Sequence, residues 1–438
     1  MATDWLTATV GDVAVRVTKG TTPTTIGGRF VDHGINFVKV ESITADGRLD
    51  AEKLAHIDAA TNDMLARSVL CADDVLFTIA GTIGRVALVP SSALPANTNQ
   101  AVAIVRPDQN AVDPRFLYYV LRDRSRLQQA NTRVVQSVQS NFSLAELRAL
   151  EIPLPDIAQQ RAIAHILGTL DDKIDLNRRT SETLEAIARA LFGSWFVDFD
   201  PVRAKATGRD PGLPPHLADL FPDSFDDSDL GEIPKGWRVG RFGDVVEQAR
   251  DQVDPPSSPD ALFNHFSIPA FDDGQSPRVE YGASIKSQKS HVPAGVILLS
   301  KLNPEIERVW MVDVRPGERA VCSTEFLVLP GLPPFTRGYV YCLAHSPLFR
   351  RQIEGLVTGT SKSHQRAQVE SILNLPVVVP PSPIAAAFGR SADALLARTL
   401  EGRRESRTLA TLRDVLLPKL ISGELRVADA ERVVEARL

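Results

Sequence analysis

Only three cysteines, Cys71, Cys322 and Cys342, occur in 438 residues, and their spacing matches neither a metal-ligand pair nor a redox motif. A disulfide scaffold is excluded, and a reducing cytoplasm is the expected setting. No apolar run approaches the roughly 20 residues of a membrane span, and Met1-Ala2-Thr3-Asp4-Trp5 lacks the basic and apolar regions of a signal peptide. The eight histidines are scattered singly, so no metal site is expected. Catalytic motifs are missing too. Asn303-Pro304-Glu305-Ile306 lacks the second proline and the aromatic of an amino-methyltransferase loop. The run from Gly355 to Ser363 is one glycine short of a phosphate loop and displaces the lysine, here Lys362. Gly193-Ser194-Trp195-Phe196 is not a Gly-x-Ser-x-Gly elbow. The expectation is a chain with no catalytic residue, metal or cofactor of its own.

A net positive charge is also missing: the formal charge is −5. Its distribution matters more than its total. Residues 1–155 carry 15 basic and 16 acidic groups, and residues 233–383 carry 16 and 15. The acidic excess lies in residues 156–200, with 5 basic against 8 acidic, and in residues 201–232, with 3 against 7. Two near-neutral globular stretches can each still present a basic face, so charge neither supports nor excludes nucleic acid.

What is present is a duplication, which sets the architecture. Leu150-Glu151-Ile152-Pro153-Leu154-Pro155 leads into a long helical pattern, and Leu375-Pro376-Val377-Val378-Val379-Pro380 leads into another. Upstream, Asn97-Thr98-Asn99-Gln100-Ala101-Val102 answers Cys322-Ser323-Thr324-Glu325-Phe326, and Val10-Gly11-Asp12-Val13 answers Phe242-Gly243-Asp244-Val245. The implied fold class is α+β: two mixed α/β domains and two long helices in a pseudo-two-fold molecule. In the first half, short β-rich runs are expected at Ile35–Val40, Val75–Ile79, Val86–Val89 and Ala101–Val105. Helices are expected at Phe116–Gln129, opened by Asp113-Pro114, and at Ser143–Ala149.

From Ile157 to Phe196 the apolar period becomes helical. Ile163, Ile166, Leu170, Ile174, Asn177, Ser181, Leu184, Ala188, Leu191 and Trp195 form a stripe about 60 Å long at 1.5 Å per residue. Phe388, Leu395, Leu396, Leu400, Leu409, Leu412, Leu416 and Leu420 form a second. The simplest expectation is that the two stripes pack on each other as an antiparallel coiled coil; the alternative is that each pairs with a different subunit. Among these residues Ile163, Leu170, Leu184, Leu191, Trp195, Leu409 and Leu416 are the candidates for subunit contact. Residues 201–232, with Asp210-Pro211-Gly212-Leu213-Pro214-Pro215 and an acidic run from Asp223 to Asp229, read as an exposed linker without a core of its own.

Several segments together resemble the specificity subunit of type I restriction-modification systems. They are Pro153-Leu154-Pro155 with Gln159-Gln160-Arg161-Ala162-Ile163, then Leu191-Phe192-Gly193-Ser194-Trp195-Phe196-Val197-Asp198-Phe199-Asp200-Pro201-Val202-Arg203-Ala204-Lys205, then Leu230-Gly231-Glu232-Ile233-Pro234-Lys235-Gly236-Trp237, and the closing Leu420-Ile421-Ser422-Gly423-Glu424-Leu425. The resemblance covers nearly the whole chain. It implies target recognition domains at 1–155 and 233–381, conserved spacer helices at 156–200 and 382–427, a linker at 201–232 and a tail at 428–438. It also implies a non-catalytic subunit that reads a bipartite, asymmetric site in double-stranded DNA. Two methylation subunits and the restriction (motor-nuclease) subunits would be its partners in phage defence, and S-adenosylmethionine, ATP and Mg would serve those partners. One departure stands out: where the first copy has Gln159-Gln160-Arg161, the second has Ser382-Pro383-Ile384-Ala385, which leaves the start of its helix undefined.

Base readout needs donors and acceptors on loops or helix ends, and phosphate contact needs Lys, Arg, Ser, Thr or free amides. In the first half the candidates are Lys19, Thr21 and Thr22 in a hydroxyl-rich loop, Thr82 and Arg85 at a glycine-rich turn, and Gln136, Gln139, Ser140 and Asn141 ahead of a helix. In the second half they are Lys286, Lys289 and Lys301, with Thr360, Ser361, Lys362, Ser363, His364 and Arg366 in the segment corresponding to 136–141. Polar loops are often only solvated loops; repetition of the last segment in both copies favours it. Two other functions stay open: a stand-alone methyltransferase or nuclease with unrecognised motifs, and a coiled-coil adaptor without sequence specificity. If the helices act as a ruler, holding the two footprints about one helical turn (roughly 34 Å) apart, inserting one turn into the first helix changes the gap between half-sites and leaves their sequences intact. Mapping methylated adenines in the host genome reads this directly.

Overall fold

A computed structural model describes residues 5–123, 142–356 and 365–437. The chain divides into two compact units, Met1–Leu176 with Glu405–Leu438, and Asn177–Arg404. The division cuts both long helices, Ile157–Phe196 and Ser382–Ile421. Each unit therefore contains one globular half and a stretch of each helix.

In the first unit, Leu6–Thr9 pairs antiparallel with Glu151–Leu154. A four-stranded antiparallel sheet runs in the order Ala14–Lys19, Val102–Pro107, Val75–Thr78, Val86–Leu88. A second sheet contains Phe30–Val31, Ala55–Ile57, Ile35–Val38 and Ala96–Thr98, the last two parallel. Helix Pro114–Arg122 starts where expected, with the Asp113 carboxylate accepting from Phe116 N at 3.0 Å. Its expected continuation, 124–129, lies outside the described residues.

The second unit repeats the plan. Arg238–Arg241 pairs antiparallel with Pro376–Val379. Ile297–Ser300 lies between Val309–Met311 and Phe326–Leu329, as Val75–Thr78 lies between its neighbours. Leu262–Phe266 runs parallel to Ala320–Cys322 within a five-stranded sheet. The duplication reaches individual bonds: Val10 N donates to Leu150 O at 2.9 Å, and Phe242 N to Leu375 O at 2.8 Å. Asp12 accepts from Thr9 N at 2.8 Å, and Asp244 from Arg241 N at 3.1 Å. These bonds hold both carboxyls below the ordinary carboxylate range, Asp12 chiefly through the Thr9 hydroxyl and Asp244 chiefly through the Arg241 amide.

The helix stripes are covered by their own chain. Within the first unit, Ile163, Leu170, Leu409 and Leu416 join one core. Within the second, Phe192, Trp195 and Phe196 pack against Phe388 with ring centroids 5.1–6.0 Å apart, and Tyr339 joins them. The pairing is antiparallel in each unit: Asp171 meets Arg413 while Lys173 meets Glu405, and Glu185 meets Arg403 while Phe196 meets Phe388. Asn177 and Ser181 are buried polar residues on this seam, and a Cβ at Gly402 would come within 3.3 Å of the Ser181 hydroxyl. Small residues here let the helices approach. Ile163, Leu170, Trp195, Leu409 and Leu416 are thus used inside the chain, contrary to their assignment to subunit contact, while Leu184 and Leu191 are half-buried. The reason is mutual: two apolar stripes on one chain remove each other from water without waiting for a partner.

Two boundaries differ from expectation. The linker 201–232 is folded in part: Val202 and Phe221 are buried in the second unit's core, and Lys205 Nζ donates to Ala218 O at 3.2 Å and Phe221 O at 2.5 Å. The segment set aside as a tail, 428–438, contains most of a helix, Val427–Glu435, whose Ala430 and Val434 are buried in the first unit. The second long helix starts at Ser382 without a glutamine. In the first copy, Gln160 accepts from Asp113 N at 2.8 Å and donates to Pro155 O at 2.9 Å. In the second, the long helix is tied to the short one about two turns further along, where Asp393 accepts from Gly338 N at 2.7 Å. Among the described residues, no helix is long and apolar enough to cross a membrane.

Phe388→Ala removes a ring that four aromatics surround and costs about 3–5 kcal/mol of stability. Ile187→Ala, at a position 48% exposed, changes stability by no more than about 0.5 kcal/mol. Chemical denaturation of both variants checks the contrast.

Candidate nucleic-acid interface

In the first unit, the end of Ala14–Lys19 runs beside the turn that follows Ala96–Thr98. Gly20 N donates to Asn99 O at 3.0 Å, and a Cβ at Gly20 would fall 1.8 Å from Thr98 O. Glycine is required there by close backbone approach. Lys19 stands exposed, and Thr22, half-buried beside Thr21, donates through its hydroxyl to Gln100 Oε1. The Asn97-Thr98-Asn99-Gln100 segment divides its labour. Asn97, fully buried, accepts from the Ser68 hydroxyl at 2.7 Å and donates to Asn62 Oδ1 at 2.9 Å, while Thr98 donates to Val38 O at 2.9 Å. Gln100 is exposed at the surface.

The turn after Val75–Thr78 lies in the same unit. Thr78 Oγ1 donates to Thr82 O at 2.5 Å and accepts from Arg85 N at 2.8 Å, and Gly81 and Gly84 supply the left-handed φ values of 73° and 85°. Thr82 is exposed. Arg85 is not free to meet phosphate as expected: it is half-buried, and its guanidinium donates to Ile43 O at 2.7 Å. Arginine serves here as a brace between the turn and a neighbouring loop.

The second unit builds the corresponding edge from other side chains. The offset that aligns Gly11 with Gly243 carries Arg16, Thr18 and Gly20 onto Gln248, Arg250 and Gln252. Ala249 bridges Val328 as Val17 pairs with Val105. Gln248, Arg250, Gln252, Ser290, Lys301 and Thr324 line a cavity of about 260 Å³. Arg250, Gln252 and Thr324 are exposed, and Lys301 is half-buried. Thr324 stands where Gln100 does, just past the strand that pairs in parallel. Lys301 O accepts from Ala367 N at 3.0 Å, as Ile79 O accepts from Phe142 N at 2.9 Å. The first described residue after 124–141 is therefore tied to the same edge of its unit as a residue just after 357–364.

Other candidates fall elsewhere. Lys286 is exposed. Lys289 turns back on its own loop, donating to Ser287 O at 3.1 Å, and partial burial lowers its pKa. Arg366, expected to meet DNA, instead forms a two-bond pair with Glu325 at 3.0 and 2.7 Å. The carboxylate engages two donors of the guanidinium fork, and the arginine side chain stays 55% exposed. Gln136, Gln139, Ser140, Asn141, Thr360, Ser361, Lys362, Ser363 and His364 lie outside the described residues. Cys322 and Cys342 are buried, and burial pushes both thiols up to about 12, which removes them as nucleophiles. Among the described residues, no group of three or more His, Cys, Asp or Glu side chains is placed to hold a metal ion.

Gln100, Gln248, Arg250, Gln252 and Thr324 were not among the candidates read from the sequence. Their signal was the duplication itself, which, applied residue by residue to the Lys19–Thr22 loop, leads to Gln252 and its neighbours.

Residues 3–186 match a family described as the type I restriction modification DNA specificity domain. The MjaIX type I restriction enzyme specificity subunit of Methanocaldococcus jannaschii is 25% identical over 81% of this chain and 78% of its own length. The HindI specificity subunit of Haemophilus influenzae is 26% identical over 74% of this chain and 80% of its own. The solved type-I restriction-modification S subunit from M. genitalium superposes with a TM-score of 0.54 over 95% of this chain and 96% of that one. At 14% identity, that likeness is one of fold.

If Arg250 meets phosphate, Arg250→Ala weakens DNA binding across all sequences and makes the slope of log affinity against log salt shallower by about one. Titrations at several salt concentrations measure it, and an unchanged slope removes Arg250 from the interface.

Proposed function

We propose, from its likeness to type I restriction-modification specificity subunits, that the chain is such a subunit and that each of its two units reads one half of a bipartite DNA site. The observation that carries this reading is the polar edge built twice on one backbone plan with different side chains. The first edge offers Lys19, Thr21, Thr22 and Gln100; the second offers Gln248, Arg250, Gln252, Lys301 and Thr324. Arginine suits the O6 and N7 acceptors of guanine, glutamine suits the N6 and N7 pair of adenine, and threonine discriminates less. Different inventories on a shared frame read different sequences, so the site is asymmetric. Exposed Lys19 and half-buried Lys301 add sequence-independent attraction to phosphate.

In this reading the chain is a recognition subunit and the chemistry belongs to its partners. Two methylation subunits bind it, flip an adenine out of the duplex and transfer a methyl group from S-adenosylmethionine. Restriction subunits use ATP and Mg to act on unmodified DNA. The stripe residues packed inside the chain leave docking to other surfaces of the helices and domains.

The test is footprinting of the chain with its methylation subunits on a library of random duplexes. One protected bipartite motif is expected, and Gln252→Ala relaxes base preference in a single half of it. Protection indifferent to sequence supports a helical adaptor instead, and methyl transfer by the purified chain alone overturns the division of labour.

A further inference from the structure

Each unit has a polar knot where its globular half meets the two helix stretches. In the first unit, Asp171 on the first long helix accepts from Tyr119 Oη at 2.7 Å, Arg122 Nη1 at 3.3 Å and Arg413 Nη1 at 2.5 Å, the last from the second long helix. Arg122 also donates to Tyr118 Oη at 2.6 Å, and that hydroxyl donates to Gly47 O at 3.2 Å. The chain of bonds thus runs from the loop at Gly47, through the short helix, to both long helices. The Arg413 side chain is only 8% exposed.

The second unit has a related construction, with the carboxylate now on the helix that enters from the first half and the arginine on the helix that follows the second. Glu185, 8% exposed on the first long helix, accepts from Tyr341 Oη at 2.9 Å and from Arg403 Nη2 at 2.6 Å. Arg403, on the second long helix, also donates to Gln275 Oε1 at 3.3 Å. Gly47 and Gln275 occupy matching places. Each lies nine residues (47 − 38 and 275 − 266) beyond a residue of the strand that pairs in parallel, Val38 with Thr98 and Phe266 with Cys322. Both adopt left-handed backbone, at φ 88° and 55°. Tyr118 and Tyr341 each stand five residues (118 − 113 and 341 − 336) past the cap of the corresponding helix.

Two apolar stripes hold helices together but tolerate sliding and rocking, because hydrophobic contact is not directional. A carboxylate drawn out of water between an arginine and a tyrosine, as Glu185 is and half-buried Asp171 is in part, costs desolvation, and the best-attested return on such a group is a unique register. A carboxylate held by an arginine and a tyrosine thus occurs in both units, reached by Tyr119 in one and by Tyr341 in the other, with the turns at Gly47 and Gln275 at matching places.

We propose that Asp171 and Glu185 are positioning residues that lock each globular half to its helix stretches and thereby restrict the gap the protein accepts between half-sites. This rests on the reading of the chain as a bipartite DNA reader. Neither carboxylate touches DNA. Each acts by fixing the pose of the edge that does: Asp171 through Tyr119, Arg122 and Arg413, and Glu185 through Tyr341 and Arg403. Loss of either leaves the base-reading side chains intact and lets their edge rock.

The test uses the full chain assembled with its methylation subunits, and duplexes carrying the native half-sites with the gap lengthened or shortened by one or two base pairs. Asp171→Asn and Glu185→Gln are expected to retain the half-site sequences, while methylation at wrong gaps rises about tenfold relative to the native gap, a change of about 1.4 kcal/mol. Leu416→Ala lowers the unfolding midpoint without touching either knot, and it is expected to keep the native gap preference. If the two carboxylate variants only lose stability, as Leu416→Ala does, and keep the preference, the proposal is overturned. Failure of the underlying reading looks different: the unaltered protein would then show no gap preference at all.

Discussion

Everything in this fold depends on the two apolar stripes that the long helices must keep from water. Neither globular half covers a stripe alone. The first unit's core takes Leu409, Leu416, Leu417, Leu420 and Ile421 from the far end of the sequence, together with Ala430 and Val434 of the last helix. The second takes Phe192, Trp195 and Phe196 from the helix that leaves the first half. Each unit is complete only when residues from both halves of the chain have met. A recognition half detached from the opposite helix would expose the apolar surface its unit buries.

On that apolar base the duplicated backbone supplies the frame. Strand pairing before Gly11 and Gly243, parallel pairing of the central strands, and capped short helices at Asp113 and Thr336 recur with matching hydrogen bonds. Side chains diverge where the frame reaches the polar edge. Threonines and Gln100 stand on one copy, and Arg250, Gln252 and Lys301 on the other. A frame held by backbone bonds permits this, since exchanging an exposed side chain leaves those bonds intact. The polar knots at Asp171 and Glu185 add directional bonds, which apolar contact lacks.

Much of the fold was legible in the sequence because its signals are periodic or repeated. The helix expected from Ile157 to Phe196 is observed over those residues, and the strand runs at Val75 and Val86 fall where alternation and glycines put them. The helix-cap signal at Asp113-Pro114 is equally local. Less legible were roles set by distant partners. Arg85 and Arg366 look like phosphate ligands in isolation, yet Ile43 O and Glu325 hold them. Acidic, proline-rich composition marked 201–232 as a linker, but Val202 and Phe221 belong to a core. The short helix at Val427 was passed over because its burial depends on a surface made by residues far upstream.

The sequence by itself determined the two-copy plan, the long helices and the absence of recognisable catalytic motifs. Those features follow from local propensity, apolar period and repetition, each carried by neighbours in the chain. Tertiary structure decided which polar residues are braces and which are left exposed. It also decided that the stripes close on each other, and that Asp171 and Glu185 sit between arginine and tyrosine. The reason is physical: a charged side chain's role depends on the partner within reach, and here that partner is often more than a hundred residues away in the chain, as with Asp171 and Arg413.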